Sequence, residues 1–487
     1  MRRSVGAMIR PGQGRARHGG AGLPEDRTTG SSEEATWRAA RASELRESLT
    51  ATGIRAVALS QVDNAGVTRV KTVPVSIVER AVKYGVGMSP VFEVFLVNDS
   101  ITASDEVGGP VGDLRLMPDP SAVKMLAAQP GWAWAPVDKH TQEGEVYAGC
   151  QRTFAKRMAQ RAADAGIEVR MTFELEWFQA AAGSEIESPI HTGPAYGLPV
   201  LATISDYARD LIAALEDEGV GVDQFHPEYA VGQLEISVEP ADPVGAADTT
   251  VLVRQTIRAM AARNGMRASF SPVVIAGHVG NGGHIHFSLW RDGRNLFDGG
   301  TGPHGMTETG EAFVAGVLAE LPALLSVGSP SVPSYLRLIP SHWAGAFACW
   351  GRENREAAIR FVTGMVGTRE TAANTEVKCF DQSANPYLVA GALIAAGLAG
   401  VNRDLRLPDE VTVDPGGLSV DELSSRGIQR LPQSVEEALS HLEKSDVLRE
   451  AMGPMLFGPF TAVRRAEAEA FAGQEPEEIV AAHRWRY

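Results

Sequence analysis

The stretch FELEWF places Glu174 and Glu176 at alternate positions of an otherwise apolar run. Alternate residues of a β-strand point to the same face, so the two carboxylates would lie side by side while Phe173, Leu175 and Trp177 face a core. Two like charges at that separation repel each other unless water solvates both or a cation lies between them. A solvated strand face and a cation site are therefore both open interpretations of this stretch.

Three other segments carry residues of the same kind. HPEYAVGQLEIS holds Glu228 and Glu235 on either side of a bend that can direct both carboxylates to one point, and TEVKCFDQSANPYL holds Glu376 at the end of an extended run. In GNGGHIHFSLW, His284 and His286 share a strand face after glycines that let the backbone approach a substrate. Each pattern alone also occurs as a solvated turn or as ordinary core or surface histidines. Together, five carboxylates and one imidazole are typical of a Mg²⁺ or Mn²⁺ site rather than of structural zinc.

Arginines follow within another partly apolar segment, SYLRLIPSHWAGAFACWGRENREAAIR, at Arg337, Arg352, Arg355 and Arg360. The planar guanidinium matches the geometry of oxyanions. Arginines beside a divalent-cation site indicate phosphoryl transfer, in which positioning and charge neutralisation supply most of the catalysis. The sequence has no G-x-x-x-x-G-K-[ST] loop and no set of kinase motifs, so a nucleotide would be held in another way.

Composition narrows the class of protein. A chain of 487 residues with 44% hydrophobic content is long enough for two or three domains, and its net charge of −15 argues against nucleic acid or an anionic membrane surface as a partner. The three cysteines form no C-x-x-C pair, which predicts neither a disulfide framework nor a thiolate zinc site. We expect no apolar run of about 18 residues and no secretory leader, and hence a cytoplasmic protein.

The pattern along the chain predicts three regions. Residues 1–34 are expected to be a disordered basic extension, 35–138 a small α+β unit with a hairpin around DNAG, and 139–487 a larger α+β domain. Within the last region, IEVRMTFELEWFQA is predicted as one long strand. The following helix is predicted to begin at a Thr203 or Ser205 cap.

In their order, FELEWF, HPEYAVGQLEIS, GNGGHIHFSL, SYLRLIP…WGRENREAAIR and TEVKCFDQSANPYL resemble the glutamine synthetase family, over roughly residues 40 to 480. The resemblance implies an α+β fold with a small β-grasp-like N-terminal domain and a large catalytic domain with a curved antiparallel sheet. It also implies a homo-oligomer built from hexameric rings, usually a dodecamer, with active sites between neighbouring subunits.

The resemblance implies roles for individual residues. The metal ligands fall into two sets, one meeting the substrate glutamate and one bridging the ATP phosphates: Glu176, Glu228 and Glu235, and Glu174, His284 and Glu376. Contacts to the nucleotide and the transferred phosphoryl group are implied for Asp223, His286, Ser288, Arg355 and Arg360. Gly280 and Arg337 would bind glutamate, and Lys378 stands at a catalytic position where the family commonly has arginine.

One loop departs from the family pattern. In glutamine synthetases the loop after the substrate arginine usually resembles PGYEAP, and its glutamate closes the site and helps to deprotonate ammonium. Here the loop is PSHWAG, with Trp343 at the position of that carboxylate. An indole cannot take a proton, but it can line a substrate pocket for an alkyl chain or face a cation. Asp99 is a candidate for the family's ammonium-binding aspartate, and VNRDLRLPDEV lacks the tyrosine at which some bacterial enzymes are adenylylated.

These features predict an ATP-dependent ligase that joins the γ-carboxylate of L-glutamate to an amine through γ-glutamyl phosphate, releasing ADP and phosphate. Trp343 favours a polyamine, ethanolamine or a similar amine as the acceptor. A glutamine synthetase that uses ammonium, and a non-catalytic relative acting as scaffold or sensor, stay open as alternatives. The sequence does not decide the amine, the choice between Mg²⁺ and Mn²⁺, the number of subunits or the role of the N-terminal extension.

Overall fold

The structure of the chain, a computed structural model, describes residues 32–109, 111–183 and 188–487. Most of the predicted basic extension, residues 1–34, lies outside the described residues, and its character stays a prediction.

The N-terminal part is a six-stranded sheet with strand order β2-β1-β6-β4-β3, in which β5 also pairs with β6. Two helices pack on it through a core that includes Leu49, Val57 and Val82. The elements are α1 (Ser32–Ala51), β1 (Ala56–Val62), β2 (Thr68–Pro74), α2 (Val78–Tyr84), β3 (Val86–Met88), β4 (Leu114–Pro118), β5 (Lys124–Met125) and β6 (Trp132–His140).

The predicted hairpin around DNAG is confirmed, since β1 and β2 pair antiparallel across the turn Asp63–Gly66. Gly66 has a φ of +82° and donates its N–H to the Asp63 carbonyl at 3.1 Å. A Cβ on Gly66 would lie 1.8 Å from the Ser383 carbonyl oxygen, so this turn can meet the C-terminal part only as glycine.

The C-terminal part contains two further sheets. A four-stranded sheet has the order β11-β8-β10-β9, and a seven-stranded sheet has the order β13-β12-β16-β15-β14-β17 with β7 paired to β12. The strands are β7 (Glu168–Phe173), β8 (Leu175–Ala181), β9 (Val222–Pro227), β10 (Gln233–Val238), β11 (Met266–Ser269), β12 (Ile285–Arg291), β13 (Arg294–Asn295), β14 (Phe347–Arg352), β15 (Ala357–Val362), β16 (Asn374–Val377) and β17 (Gln429–Arg430).

In the described part of the chain, twelve helices surround these sheets. They are α3 (Gln151–Asp164), α4 (Leu198–Asp217), α5 (Pro243–Arg263), α6 (Glu308–Gly328), α7 (Ser334–Arg337), α8 (Arg369–Ala372), α9 (Pro386–Asn402), α10 (Val420–Ser425), α11 (Val435–Lys444), α12 (Asp446–Met452), α13 (Pro454–Ala470) and α14 (Pro476–His483). The mixture of helices and sheets confirms the predicted α+β class, and one large core cluster extends from α3 to α14 beside smaller clusters.

The prediction of one long strand through FELEWF is wrong, because the strand breaks at Glu174. The Glu174 N–H donates to the His284 carbonyl at 2.9 Å, and the Glu174 carbonyl accepts from Gln382 Nε2 at 2.6 Å. These bonds take the place of continued ladder pairing, so β7 ends in the seven-stranded sheet and β8 begins in the four-stranded one. The break joins the two sheets at the two glutamates.

The predicted start of α4 is also wrong. The helix begins at Leu198, with Gly197 at its N-cap and Pro199 in its first turn. Thr203 and Ser205 lie inside the helix, where their hydroxyls donate to the carbonyls of Val200 and Ala202. Proline is well accommodated in a first turn, where no intrahelical bond needs its missing N–H.

Among the described residues, one helix, α6, is apolar over a membrane-spanning length, with a mean hydropathy of 1.5 over an 18-residue window. The expectation that no such apolar run occurs is therefore wrong. In the structure, 78% of that window is buried, and α6 packs against the equally apolar α9. The helices touch at Gly316 and Gly400, where a Cβ on either would lie within 2.8 Å of the other's backbone. A core helix enclosed on several sides loses the polar face of a surface helix.

Candidate active site

Two groups of carboxylates and imidazoles converge where the four-stranded and seven-stranded sheets meet. One consists of Glu174, His286 and Glu376, and the other of His226, Glu228 and Glu235. Within each group, one ligand atom from every residue lies within 4.8 Å of the others. Oxygen-rich sets with one nitrogen suit hard divalent cations, so both groups fit the cation that the sequence pattern predicted.

The first group forms across three strands. His286 and Glu376 are directly opposite each other in the β12–β16 pair, and Glu174 reaches them from the break between β7 and β8. The His286 Nε2 atom is 3.3 Å from Glu174 Oε1, and His284 Nδ1 is 3.0 Å from Glu174 Oε2 and 3.3 Å from Glu376 Oε1. Burial alone would raise the pKa of Glu174, but the two imidazoles hold it well below its usual value. Both histidines therefore belong to this end of the cluster.

The second group lies on the β9–β10 hairpin and continues onto β8. Glu235 is paired with His226 on one side and with Glu176 on the other, so two carboxylates face each other across β8 and β10. His226 Nε2 is 3.3 Å from Glu235 Oε1. Burial, together with the charges of nearby glutamates, raises the pKa of Glu235 to about 8. Like charges directly opposite each other are destabilising, so this row favours a bound cation.

Glu176 connects the two groups. It accepts hydrogen bonds at 2.7 Å from the Gly282 N–H and from Gln233 Nε2, and its Oε1 is 3.8 Å from His284 Nε2. A Cβ on Gly282 would lie 2.6 Å from His284 Nε2, 2.8 Å from Glu176 Oε1 and 3.0 Å from Arg337 Nη2. Glycine at position 282 therefore keeps the space between these three side chains open.

Two cationic side chains contact the carboxylate of Glu376. Arg360 Nη1 is 3.0 Å from Oε2 of Glu376, across the β15–β16 pair. Lys378, two residues after Glu376 in the chain, places its Nζ 3.1 Å from Oε1. Burial alone would raise the pKa of Glu376, but Lys378 and the nearby imidazoles lower it to about 2. Arg360 also binds Glu353 at 2.7 Å, which directs its guanidinium along the edge of the cluster.

The structure also brings together the two residues implied in glutamate binding. Arg337 is buried, and its guanidinium donates to the backbone carbonyls of Lys378 at 3.0 Å and Cys379 at 3.3 Å. A Cβ on Gly280 would lie 3.2 Å from Arg337 Cγ, and the Gly280 carbonyl accepts from Gln233 Nε2 at 3.1 Å. Because position 280 is a glycine, its backbone lies close to Arg337 with no side chain between them.

Other predicted site residues are not members of the two groups. Asp223 on β9 and Arg355 between β14 and β15 are exposed, and Ser288 on β12 accepts a hydrogen bond from Trp290 Nε1 at 2.9 Å. Asp99 accepts from Arg69 at 2.6 Å and from Arg486 at 2.9 Å. The roles implied for these four residues stay predictions.

The PSHWAG loop lies at the start of β14. Ser341 and Trp343 have positive φ values of 60° and 57°, a conformation that non-glycine residues adopt at some cost in energy. The loop is held by Glu356, whose Oε1 accepts the Trp343 N–H at 2.7 Å, and by Asp414, which accepts from Ser341 Oγ at 2.7 Å. The Trp343 side chain is 57% exposed.

Several site residues were missed at the level of sequence. His226 precedes Glu228 by two residues, and this alternate spacing on a strand is a signal that could have identified it. Tyr196, whose hydroxyl donates to Glu228 Oε1 at 2.6 Å, comes from a distant loop and has no such signal. Gln233 and Glu356 lie inside recognised segments, but only the folded chain reveals their partners.

Comparisons with known proteins cover almost the whole chain. Residues 42–145 match the glutamine synthetase N-terminal domain family, and residues 148–481 match the glutamine synthetase catalytic domain family. A gamma-glutamylpolyamine synthetase of Streptomyces coelicolor is 52% identical over 450 residues, which are 92% of this chain and 97% of that protein.

Two solved structures are similar as well. A glutamine synthase homologue superposes with a TM-score of 0.80 at 31% identity, covering 89% of this chain and 99% of the other. A complex of the protein GmaS with ADP superposes with a TM-score of 0.78 at 28% identity, covering 88% and 97%.

Proposed function

The chain belongs to the glutamine synthetase family and is an ATP-dependent ligase that joins glutamate to an amine, and we propose that this amine is a polyamine. In the proposed reaction, an oxygen of the glutamate γ-carboxylate attacks the terminal phosphorus of ATP and ADP leaves. The uncharged amine nitrogen then attacks the carbonyl carbon of γ-glutamyl phosphate. The carbon–oxygen bond to phosphate breaks, inorganic phosphate leaves, and the amine proton passes to solvent or to a base.

The family uses divalent metal ions, and the two acidic groups fit them. We propose that Glu176, Glu228 and Glu235 would hold one divalent ion on the glutamate side, and that Glu174, His284 and Glu376 would hold a second on the ATP side, as Mg²⁺ or Mn²⁺. Bound there, the ions would neutralise the charge of the phosphates. The proximity of His286 and His226 to these groups makes both imidazoles candidates for the same sites.

Trp343 is the observation that carries the choice of amine. It lies where glutamine synthetases usually have a loop glutamate, and its indole is exposed on a loop whose backbone is held by Glu356. An aromatic face can pack against methylenes and attract an alkylammonium group. Ammonium has no alkyl chain to gain from such a contact. The 52% identity to a gamma-glutamylpolyamine synthetase supports the same choice.

A steady-state assay of phosphate release with ATP and glutamate tests the proposal. We expect kcat/KM to be at least about 100-fold higher for putrescine or spermidine than for ammonium or ethanolamine, which corresponds to roughly 3 kcal/mol of selective transition-state binding. Trp343→Ala should lower kcat/KM for the polyamine, chiefly through KM, while the glutamate KM changes little. Trp37→Ala, which removes another exposed indole, serves as the matched control.

Ammonium is the alternative acceptor. Equal or better turnover with ammonium would show that the chain is a glutamine synthetase and that another group replaces the loop glutamate. Preference for ethanolamine would keep the ligase reaction but overturn the polyamine assignment.

We further propose that the ligase is cytoplasmic and assembles into hexameric rings, as the family resemblance implies. Light scattering coupled to size-exclusion chromatography measures the mass of the assembly. A mass that is not a multiple of six subunits would contradict the ring.

A further inference from the structure

Glu356, which immediately precedes β15, is a buried carboxylate that contacts the PSHWAG loop. The residue is 6% exposed, and its Oε1 accepts the Trp343 N–H at 2.7 Å. Its Oε2 is also buried and has no hydrogen-bond partner among the described residues. A buried acceptor left without a donor is unfavourable, so such an atom calls for an explanation in a bound ligand or a bound water.

The position of Glu356 relates it to the reacting groups. Arg360, Ala358 and Glu356 occupy alternate positions of one segment and so share one face, with Arg360 at the Glu376 end and Glu356 at the Trp343 end. At about 3.3 Å per residue, the two ends are roughly 13 Å apart along the backbone. The carboxylate therefore lies beyond the phosphoryl end of the site, on the side of the PSHWAG loop.

Lys378 is an example of a flexible side chain that runs from the PSHWAG loop to the Glu376 carboxylate. A Cβ on Gly345, in the loop, would lie 3.0 Å from Lys378 Cβ, and the other end of this side chain binds Glu376 at 3.1 Å. The lysine side chain has four methylenes between its Cα and its ammonium nitrogen. An aminobutyl chain, the unit of putrescine and spermidine, has the same four methylenes. One such chain therefore spans the distance from the carboxylate cluster to the base of the loop.

The PSHWAG loop has no carboxylate of its own to bind a cationic amine. Trp343 removes the carboxylate that the family resemblance places on this loop, and an indole cannot form an ion pair. Glu356 lies next to the same loop, and burial raises the pKa of its carboxyl even though the Trp343 N–H and the Lys378 ammonium act to lower it.

We propose that Glu356 Oε2 binds the remote ammonium group of a diamine or polyamine acceptor, so that the nucleophilic nitrogen lies one alkyl chain away, at the reacting carbonyl. Glu356 is then a specificity residue for acceptors with two amino groups, and Trp343 covers the methylenes between them. This inference rests on the proposed function and adds the group that recognises the second charge.

A purely structural role for Glu356 would explain the contact of its Oε1 atom with the loop but not the burial of its Oε2 atom. Glu356 anchors the loop through the Trp343 N–H, but Asp414 anchors the same loop through Ser341 Oγ at 2.7 Å. Asp414 is exposed and offers no buried free oxygen, so it is the matched control for loop anchoring.

The test compares putrescine with n-butylamine, which has the same carbon chain and lacks the second ammonium. We expect the wild-type protein to favour putrescine, and Glu356→Gln to reduce the ratio of kcat/KM values, putrescine to n-butylamine, by about 10- to 100-fold, because a charged hydrogen bond is lost. The KM for putrescine should carry most of that change. Asp414→Asn should leave the ratio within about 3-fold of wild type, as expected for an exposed group.

Glu356→Asp keeps the charge and should keep part of the preference, which guards against a misfolded glutamine variant. An equal loss with both amines, or the same loss of ratio in Asp414→Asn, would assign Glu356 to loop anchoring and overturn the inference. A wild-type ratio near one would overturn it as well. If wild-type protein prefers polyamines to ammonium but Glu356→Gln keeps the diamine preference, only this inference fails. If ammonium is the better substrate, the proposed function fails.

Discussion

At the scale of single residues, the active site places buried carboxyl groups close to one another. Glu176 and Glu235 face each other on paired strands, and both carboxyls have raised pKa values because they are buried near other glutamates. At the other end, Arg360 and Lys378 balance Glu376. The carboxyls with raised pKa values therefore lie on the β8–β10 side, and a divalent cation bound there would favour their ionised forms.

This imbalance predicts that cations stabilise the folded protein through Glu235. Millimolar Mg²⁺ or Mn²⁺ should raise the midpoint of thermal unfolding of the wild type, since a ligand that binds only the native state stabilises it. Glu235→Gln should weaken cation binding by about 10-fold or more, because losing even a residue that only supports a metal ligand has an effect of that size. The variant should therefore show a smaller cation-induced rise in the unfolding midpoint. Differential scanning fluorimetry with titrated metal measures it.

Glu239→Gln is the control, because Glu239 is an exposed carboxylate just beyond the end of the same strand. An equal cation-induced shift in Glu235→Gln and wild type would remove Glu235 from the proposed ligand set.

At the scale of elements, short segments hold the site together by joining distant parts of the chain. The break at Glu174 lets one chain segment serve two sheets, and helix α14 brings the C-terminus back to the core. In α14, His483 is fully buried, donates from Nδ1 to the Ile479 carbonyl at 2.7 Å and lies 4.4 Å from the Phe471 ring. Burial lowers the pKa of His483 from 6.5 to about 4.

The docking of α14 should therefore weaken in acid. Between pH 6.5 and pH 4 the unfolded chain binds a proton at His483 that the native protein does not bind. The free energy of unfolding therefore falls as the pH falls through this window, and the full contribution of His483 is present above pH 6.5. The shift corresponds to about 3 kcal/mol. Urea unfolding at a series of pH values should show a smaller acid loss in His483→Gln than in wild type.

His441→Gln is the matched variant, because His441 is exposed on α11. Parallel curves for wild type and His483→Gln would contradict the prediction.

At the scale of the whole molecule, a buried polar network joins the N-terminal sheet to the catalytic part. Lys139 on β6 pairs with Glu93 and donates to Gln151 Oε1 on α3 at 2.6 Å. Gln151 donates in turn to Asn64 Oδ1 at 2.7 Å, in the β1–β2 turn, and Asn385 donates to the Val62 carbonyl at 2.9 Å. These contacts position the hairpin that bears Gly66 against the catalytic part.

Removal of the cation at the centre of this network should be strongly destabilising. Lys139→Met leaves Glu93 as an uncompensated buried charge, which costs about 3–5 kcal/mol. The double variant Lys139→Met/Glu93→Gln should recover part of that loss in denaturant unfolding. Lys83→Met, at an exposed lysine of α2, should stay within about 0.5 kcal/mol of wild type. A single variant as stable as wild type, or a double variant no better than the single one, would show that the ion pair does not stabilise the network that joins the two parts.

Local patterns of the sequence were enough for much of the fold. The DNAG hairpin depends on turn chemistry and on the alternation of apolar residues over a few positions, and both kinds of signal act between near neighbours. The predicted start of α4 is wrong because Thr203 and Ser205 are residue types that often cap helices. The helix in fact begins after Gly197, with Pro199 in its first turn. The apolar character of α6 is present in the sequence itself, and the tertiary structure adds that the helix is mostly buried.

What the sequence by itself determined is the family, the ligase chemistry and the chemical character of the site, since the order of the acidic, histidine and arginine motifs can be read from the chain without any contact. Only the tertiary structure decided which groups meet. It interrupted the strand at Glu174, set Glu176 opposite Glu235, brought His226 and Tyr196 to the acidic groups and, within the described parts of the chain, left Glu356 Oε2 without a hydrogen-bond partner. The reason is physical: strand alternation and turn preference are local, whereas pairing across sheets joins residues far apart in the chain, and burial then decides their charge.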